Sequence, residues 1–144
     1  MAQVQAEHSV LINRPVEDVF AYVADQSNEP KWHTDVLEVS PAGTIELGRM
    51  VTWQLNYMGK NEYVVEVTAF EPNRRIEMTV REGPLKPTMT QTFEPASGQT
   101  RYTRRIQIPL TGMFRLVGPI LKLTGAGPRR NARFARNLKE LLER

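Results

Sequence analysis

Val10-Leu11-Ile12-Asn13-Arg14-Pro15-Val16-Glu17-Asp18-Val19-Phe20 changes hydrophobic period part-way along. Upstream, Val4, Ala6, His8, Val10 and Ile12 alternate with mostly polar neighbours, the pattern of a half-buried strand. Asn13-Arg14-Pro15 ends that pattern. Val16, Val19, Phe20 and Val23 then recur at i, i+3, i+4 and i+7, which places them on one face of a helix. Pro15 suits the first helical position, and Glu17 and Asp18 suit the positive end of the helix dipole. Asp25-Gln26-Ser27-Asn28 supplies a stop and a new cap, and the next turn ends near Trp32.

Downstream the period is two almost throughout. Val36 to Ser40 reads as a short strand. Leu47 to Met58 reads as a longer one, with Val51, Trp53, Leu55 and Tyr57 on one face. After the turn at Gly59-Lys60, Tyr63, Val65, Val67 and Ala69 continue the alternation. Glu71-Pro72-Asn73 turns the chain, and Ile76, Met78 and Val80 form the next inward row. Gly83-Pro84-Leu85-Lys86-Pro87 breaks it. Met89, Gln91 and Phe93 follow, then the turn Pro95-Ala96-Ser97-Gly98, and Tyr102, Arg104, Ile106 and Ile108 close the series. Strands at this spacing, joined by hairpin-type turns, imply an antiparallel meander.

Pro109 to Gly112 reads as a hinge into a final helix. Met113, Val117, Ile120, Leu121 and Thr124 have helical spacing, interrupted at Gly118-Pro119 and Gly125-Ala126-Gly127-Pro128. Beyond Pro128, Asn131, Phe134, Ala135, Leu138, Leu141 and Leu142 form one stripe, and Arg129, Arg133 and Arg136 another. A curved sheet that buries its apolar face against one helix leaves a pocket between the two layers.

The 144 residues imply a single domain, 1–144, able to bury a core without disulfides or metal. Cys is absent, which excludes disulfides, thiolate ligands and Cys nucleophiles. The N-terminal residues are polar, and the most apolar stretch, Ile108 to Thr124, contains Arg115 and Lys122. Neither a secretory leader nor a membrane span is expected, which makes the cytoplasm the expected compartment. The net charge is +3, but 112–144 holds eight Lys/Arg against two acids, while 1–111 holds 11 against 14. The positive charge therefore belongs to the C-terminal helix.

The order of these elements, with Val10 to Phe20 in front, resembles the START/Bet v 1-like (SRPBCC) superfamily, and most of all the bacterial polyketide cyclase/dehydrase and lipid-transport family. Pro30-Lys31-Trp32 followed by Val36 fits that family. So do Phe70-Glu71-Pro72-Asn73-Arg74-Arg75-Ile76 and the ending Asn137-Leu138-Lys139-Glu140-Leu141-Leu142-Glu143. The resemblance covers nearly the whole chain. It implies an α+β helix-grip fold: a seven-stranded antiparallel sheet wrapped on a long C-terminal helix around an apolar cavity. The element order is one strand, two helices, six strands and a helix. Members of the family include hydrophobic-ligand carriers, polyketide aromatase/cyclases and subunits with no known ligand, so fold does not settle activity.

Catalytic signatures are sparse. The two His, at 8 and 33, have no spacing that brings them together on a metal, and none of the four Ser sits in a Gly-x-Ser-x-Gly setting. Gly43 to Arg49 lacks the Gly-Lys-Ser/Thr end of a phosphate loop. No cofactor is implied, and no catalytic residue is assigned. The candidates are wall residues. Trp53, Tyr57 and Tyr63 can stack on a flat or apolar ligand and offer hydroxyls, or can be plain core. Val65, Met78, Met89, Ile106, Met113 and Val117 complete the apolar lining, with the thioethers able to adapt to varied shapes or simply to fill gaps. Gln91 can hydrogen-bond a ligand carbonyl or sit near the mouth.

Arg104 shares parity with Tyr102 and Ile106, so it should point inward. A buried guanidinium needs a partner, either a ligand carboxylate, a Glu or a backbone carbonyl, unless a bulge turns it outward. His8 has inward parity too and reads best as a satisfied strand histidine. The family resemblance implies that Trp32 plugs the sheet edge, and His33 should be exposed. The Arg129, Arg133 and Arg136 stripe reads as a solvated face. Arg136 and Glu140 are spaced to pair on it, and it offers a peripheral membrane contact as the alternative. Nucleic acid is not expected, because aromatic interleaving is missing.

The residues therefore favour a carrier or binder of a small hydrophobic ligand (a lipid, fatty acid or polyketide-like molecule), as a monomer or homodimer. Two alternatives stand beside it: a polyketide cyclase/dehydratase, and an interaction module using the basic helix. The enzyme reading is the weaker because the assigned inward rows carry no acid.

Overall fold

The computed structural model describes residues 3–56, 59–109 and 126–144. Strand β1 (Gln3–Ile12) leads into helix α1 (Val16–Ala24), a short 3-10 turn (Gln26–Asn28) and helix α2 (Glu29–Trp32). The strands β2 (Val36–Ser40), β3 (Met50–Asn56), β4 (Lys60–Glu71), β5 (Arg75–Glu82), β6 (Thr88–Ala96) and β7 (Gln99–Pro109) follow, and helix α3 (Ala126–Leu142) comes last. Pro15 ends up one residue before α1 as its capping residue, in an extended conformation. The strand expected from Leu47 begins at Met50, and Leu47 is exposed.

The strands form one antiparallel sheet in the order β1-β7-β6-β5-β4-β3-β2. Strands β2 to β7 are a meander. The first strand closes it by pairing with the last, from Gln3 opposite Pro109 to Ile12 opposite Thr100. This is the helix-grip architecture, an α+β fold. Its turns use the chemistry the sequence offers: Asn73 and Ser97 take positive φ values of 62° and 54°.

Two register shifts interrupt the ladder between β4 and β5, one of them between Val67 and Ala69. The inward row Tyr63, Val65, Val67 is buried, but Ala69 leaves it. Phe70 packs on the core instead, 5.3 Å edge-to-face from Phe20. An inserted residue reverses which face the strand presents.

Helix α3 lies against β1, β7 and α2. Its last turn is tied down by Arg14 Nε donating to the Leu142 carbonyl (2.7 Å), by the Asn13 amide donating to Glu143 Oε2 (2.8 Å) and by Lys139 Nζ donating to the Leu11 carbonyl (2.6 Å). The first of these satisfies a carbonyl that a helix terminus leaves open. Asn137 Nδ2 donates to the Trp32 carbonyl (3.1 Å), joining α3 to α2. The i, i+4 ion pair of this helix falls on Lys139 and Glu143 (2.7 Å) rather than on Arg136 and Glu140.

Candidate functional site

Helix α1 fills its end of the space beneath the sheet. Phe20 stacks edge-to-face on Phe70 and Phe93, and Phe93 lies 5.5 Å from Tyr102. Tyr102 Oη donates to Gln91 Oε1, and the same phenol lies within reach of the Arg104 guanidinium. Burial pushes the Tyr102 phenol far above its ordinary range, which keeps it a neutral donor.

The α3 end is open. A cavity of about 80 Å³ lies between the sheet and α3. That is room for roughly five to eight waters, or one small ring. Its sheet wall is Trp53, Leu55 and Tyr63 from β3 and β4, Val80 from β5, Met89 from β6, and Arg104, Ile106 and Ile108 from β7, with Ala6 from β1. Leu85 and Pro87 close one side. Arg130, Asn131 and Phe134 come from α3, and His33 from just beyond α2. The Tyr63 ring packs directly on Gly83, where no side chain fits: a Cβ there would stand 2.5 Å from Tyr63 Cδ2.

Of the sequence candidates, Trp53, Tyr63, Met89, Arg104 and Ile106 come together on this wall. Val65, Met78 and Gln91 do not. All three are buried in the packed core, and Gln91 is engaged by Tyr102. They share parity with wall residues, but parity gives a side chain's face and not its position along the sheet. Tyr57, Met113 and Val117 lie outside the described residues. His8 sits half-buried opposite Arg104 in the β1–β7 register and does not reach the cavity lining.

Arg104 is 2 % exposed. Its guanidinium carbon stands 5.4 Å above the Trp32 ring and 5.6 Å from the Phe134 ring, and Nη2 approaches Met89 Sδ at 3.9 Å. Nε has no hydrogen-bond partner among the described residues. The charge is held by aromatic faces, a thioether and the neighbouring Tyr102 phenol, with the Nε donor unspent. Asn131 Nδ2 donates to the Arg104 carbonyl (2.8 Å), and Asn131 Oδ1 is likewise buried without a partner among the described residues.

His33 is a correction to the sequence reading: it is buried, 5 % exposed. The turn after α2 drops it under Phe134, with ring centroids 4.5 Å apart, and its Nδ1 bonds Glu29 Oε2 at 2.7 Å. Glu29 is itself buried, and Gln26 Nε2 donates to its other oxygen at 3.4 Å. Gln26 Oε1 in turn accepts from Trp53 Nε1 at 3.1 Å. A chain of side chains thus runs from Trp53 through Gln26 and Glu29 to His33. Burial, and next the positive charge of Arg104, pull the His33 imidazole down to about 4, against the opposing pull of Glu29. Sequence reasoning missed Gln26 and Glu29 because they lie in a short helical stretch, where strand parity is silent. The i, i+4 spacing of Glu29 and His33 was the available signal.

The basic face of α3 divides. Arg129 and Arg136 are exposed, whereas Arg133 Nη2 pairs with Asp35 Oδ1 at 3.3 Å and Arg130 also pairs with Asp35. Among the described residues no group of three His, Cys, Asp or Glu can hold a metal ion, and no helix is long and apolar enough to cross a membrane.

The model of one protein family, polyketide cyclase / dehydrase and lipid transport, matches residues 3–143. No curated protein matches the chain closely enough to count as a relative. Among solved structures, the chain is similar to the protein TTHA0849 from Thermus thermophilus. The TM-score is 0.75 at 19% identity, over 98% of this chain and 97% of that one. It is similar to a START superfamily protein from Mycobacterium smegmatis, with TM-score 0.74 at 15% identity over 96% and 98% of the two chains. It is also similar to the Aha1 dimer from Colwellia psychrerythraea, with TM-score 0.68 at 18% identity over 97% and 96%. Likeness at these identities shows a shared fold alone.

Proposed function

We propose, since the chain belongs to the polyketide cyclase/dehydrase and lipid transport family, that it binds or carries a small hydrophobic ligand with an acidic or carbonyl end in the cavity between sheet and α3. The observation that carries this reading is Arg104. A deeply buried guanidinium on the wall of a mostly apolar cavity, with a buried N–H unspent, is a costly arrangement for packing alone. A ligand carboxylate or carbonyl would accept that donor, while Trp53, Tyr63, Met89 and Ile106 cover the apolar part. Organic extraction of the freshly purified protein after native mass spectrometry tests it. A co-purifying fatty acid, lipid or aromatic acid is expected. A protein that emerges empty and takes up no such acid when offered one overturns it.

A cyclase or dehydratase is the second reading, and the buried His33–Glu29 pair favours it. An imidazole whose conjugate acid is held near 4 is, however, a weak base for a carbon acid, because catalytic efficiency peaks when the pKa lies near the operating pH. That magnitude keeps the carrier reading first. Within the same proposal, the chain acts as one domain in the cytoplasm, as a monomer or homodimer, and the exposed Arg129 and Arg136 are what α3 offers to an anionic membrane surface.

A further inference from the structure

His33 enters the cavity with one nitrogen committed and one not. Nδ1 is tied to Glu29 Oε2 at 2.7 Å, and the described residues place no hydrogen-bond partner on Nε2. A carboxylate can only accept, so Nδ1 carries the proton and Nε2 presents a lone pair. Gln26 and Trp53 hold Glu29 from behind, which fixes this tautomer. Arg104 shares the site: its guanidinium and the His33 ring both lie against Phe134, at 5.6 and 4.5 Å, and both flank Trp32. The wall therefore pairs a fixed donor of positive charge with a fixed neutral acceptor.

We propose that Arg104 and His33 together select a hydroxy acid: a ligand whose carboxylate takes the Arg104 guanidinium and whose nearby hydroxyl donates to His33 Nε2. This rests on the carrier reading and names the ligand class for that same cavity. A hydroxyl is what the site can read, because a ligand acceptor, such as a ketone or ether oxygen, would face the Nε2 lone pair and gain nothing. The low imidazole pKa keeps the ring an acceptor across neutral pH. The volume and aromatic walls suit a phenyl-sized body.

The test compares phenylacetate with mandelate, which adds one hydroxyl beside the carboxylate, by titration calorimetry at about pH 7.5, where the imidazole is neutral. One neutral hydrogen bond predicts that mandelate binds about 3–10-fold tighter. In His33→Phe, which keeps a ring in the slot, that ratio should fall to about 1 while phenylacetate still binds. Should His33→Phe fail to fold, the wild-type imidazole decides: its Nε2 resonance in nitrogen NMR spectra should move with mandelate and not with phenylacetate. Equal affinity of the wild type for the two acids, a preference that survives in His33→Phe, or an Nε2 resonance indifferent to the hydroxyl overturns the hydroxy-acid site and leaves the carrier reading standing. Failure of both acids to bind the wild type overturns this inference; the carrier reading falls with it only where the protein also emerges empty from extraction and takes up no fatty acid.

Discussion

At the α1 end of the sheet, Phe20, Phe70, Phe93 and Tyr102 interlock, and the one hydroxyl among them is consumed by Gln91. At the α3 end, His33, Trp53, Tyr63 and Phe134 stand around a cavity, and Arg104 Nε and Asn131 Oδ1 are buried without partners among the described residues. Both ends come from the same strands and the same alternation. They differ in bulk and in satisfaction. At the α3 end rings meet as closely, His33 lying 4.5 Å from Phe134 and 5.3 Å edge-to-face from Trp53, but they line one side of a cavity that Arg104 and Asn131 also face. A region whose contacts are complete supports the fold, and one with polar capacity left over is where a ligand contributes.

Phe93→Ala attacks that contrast with the largest expected effect. Phe93 is fully buried between Phe20 and Tyr102, so truncation should cost about 3–5 kcal/mol in chemical denaturation. Its effect on ligand discrimination should be nil. A loss under about 1 kcal/mol together with altered ligand preference would mean that the two ends are not separate.

Acid should act at the open end. The His33 imidazole sits near 4 in the fold, against about 6.5 when unfolded. Above about pH 6.5 it is neutral in both states and stability is unaffected. As pH falls from about 6.5 towards 4 the unfolded chain takes up a proton that the folded chain refuses, and about 3 kcal/mol is lost. Thermal melting across that window should show the fall, and His33→Phe should flatten it. An equal fall in that variant would assign acid sensitivity elsewhere.

Strand and turn positions were legible because period two and Gly/Pro punctuation report them directly. Parity placed Arg104, Trp53 and Tyr63 on the inner face correctly. It failed where the backbone departs from a regular ladder. The register shift after Val67 takes Ala69 out of the inward row and turns Phe70 inward. His33 read as exposed because a residue after a one-turn helix carries no periodic signal. The position of the cavity along the sheet was not legible either. Val65 and Met78 share a face with Tyr63 and Met89, and only three-dimensional packing tells which pair meets a helix side chain and which meets a void.

Arg104→Leu sharpens the comparison by making the open end chemically like the packed one. Removing a buried guanidinium that no carboxylate touches should leave thermal stability level or slightly raised. Binding should change in kind. A charge-assisted hydrogen bond worth about 1.5–3 kcal/mol predicts that a preference for phenylacetate over 2-phenylethanol of about 10–100-fold drops to near unity. Competition calorimetry with the two ligands measures the ratio. An unaltered preference would remove Arg104 as the anchor.

The smallest effect belongs to the outer surface of α3. Arg129 and Arg136 are exposed and make no ion pair among the described residues, whereas Arg133, also exposed, and Arg130 share Asp35. Reversing the two exposed charges, Arg129→Glu with Arg136→Glu, should move stability by no more than about 0.5 kcal/mol and leave affinity for a soluble acid unchanged. The same double variant should lose whatever attraction the chain has for vesicles containing an anionic lipid, since each basic residue near such a surface contributes about 1 kcal/mol. Sedimentation with anionic vesicles, run beside the ligand titration, separates the two. Ligand affinity that falls with these charges would place the route into the cavity along the outer face of α3. The open end would then extend beyond the wall that Arg104 and His33 define.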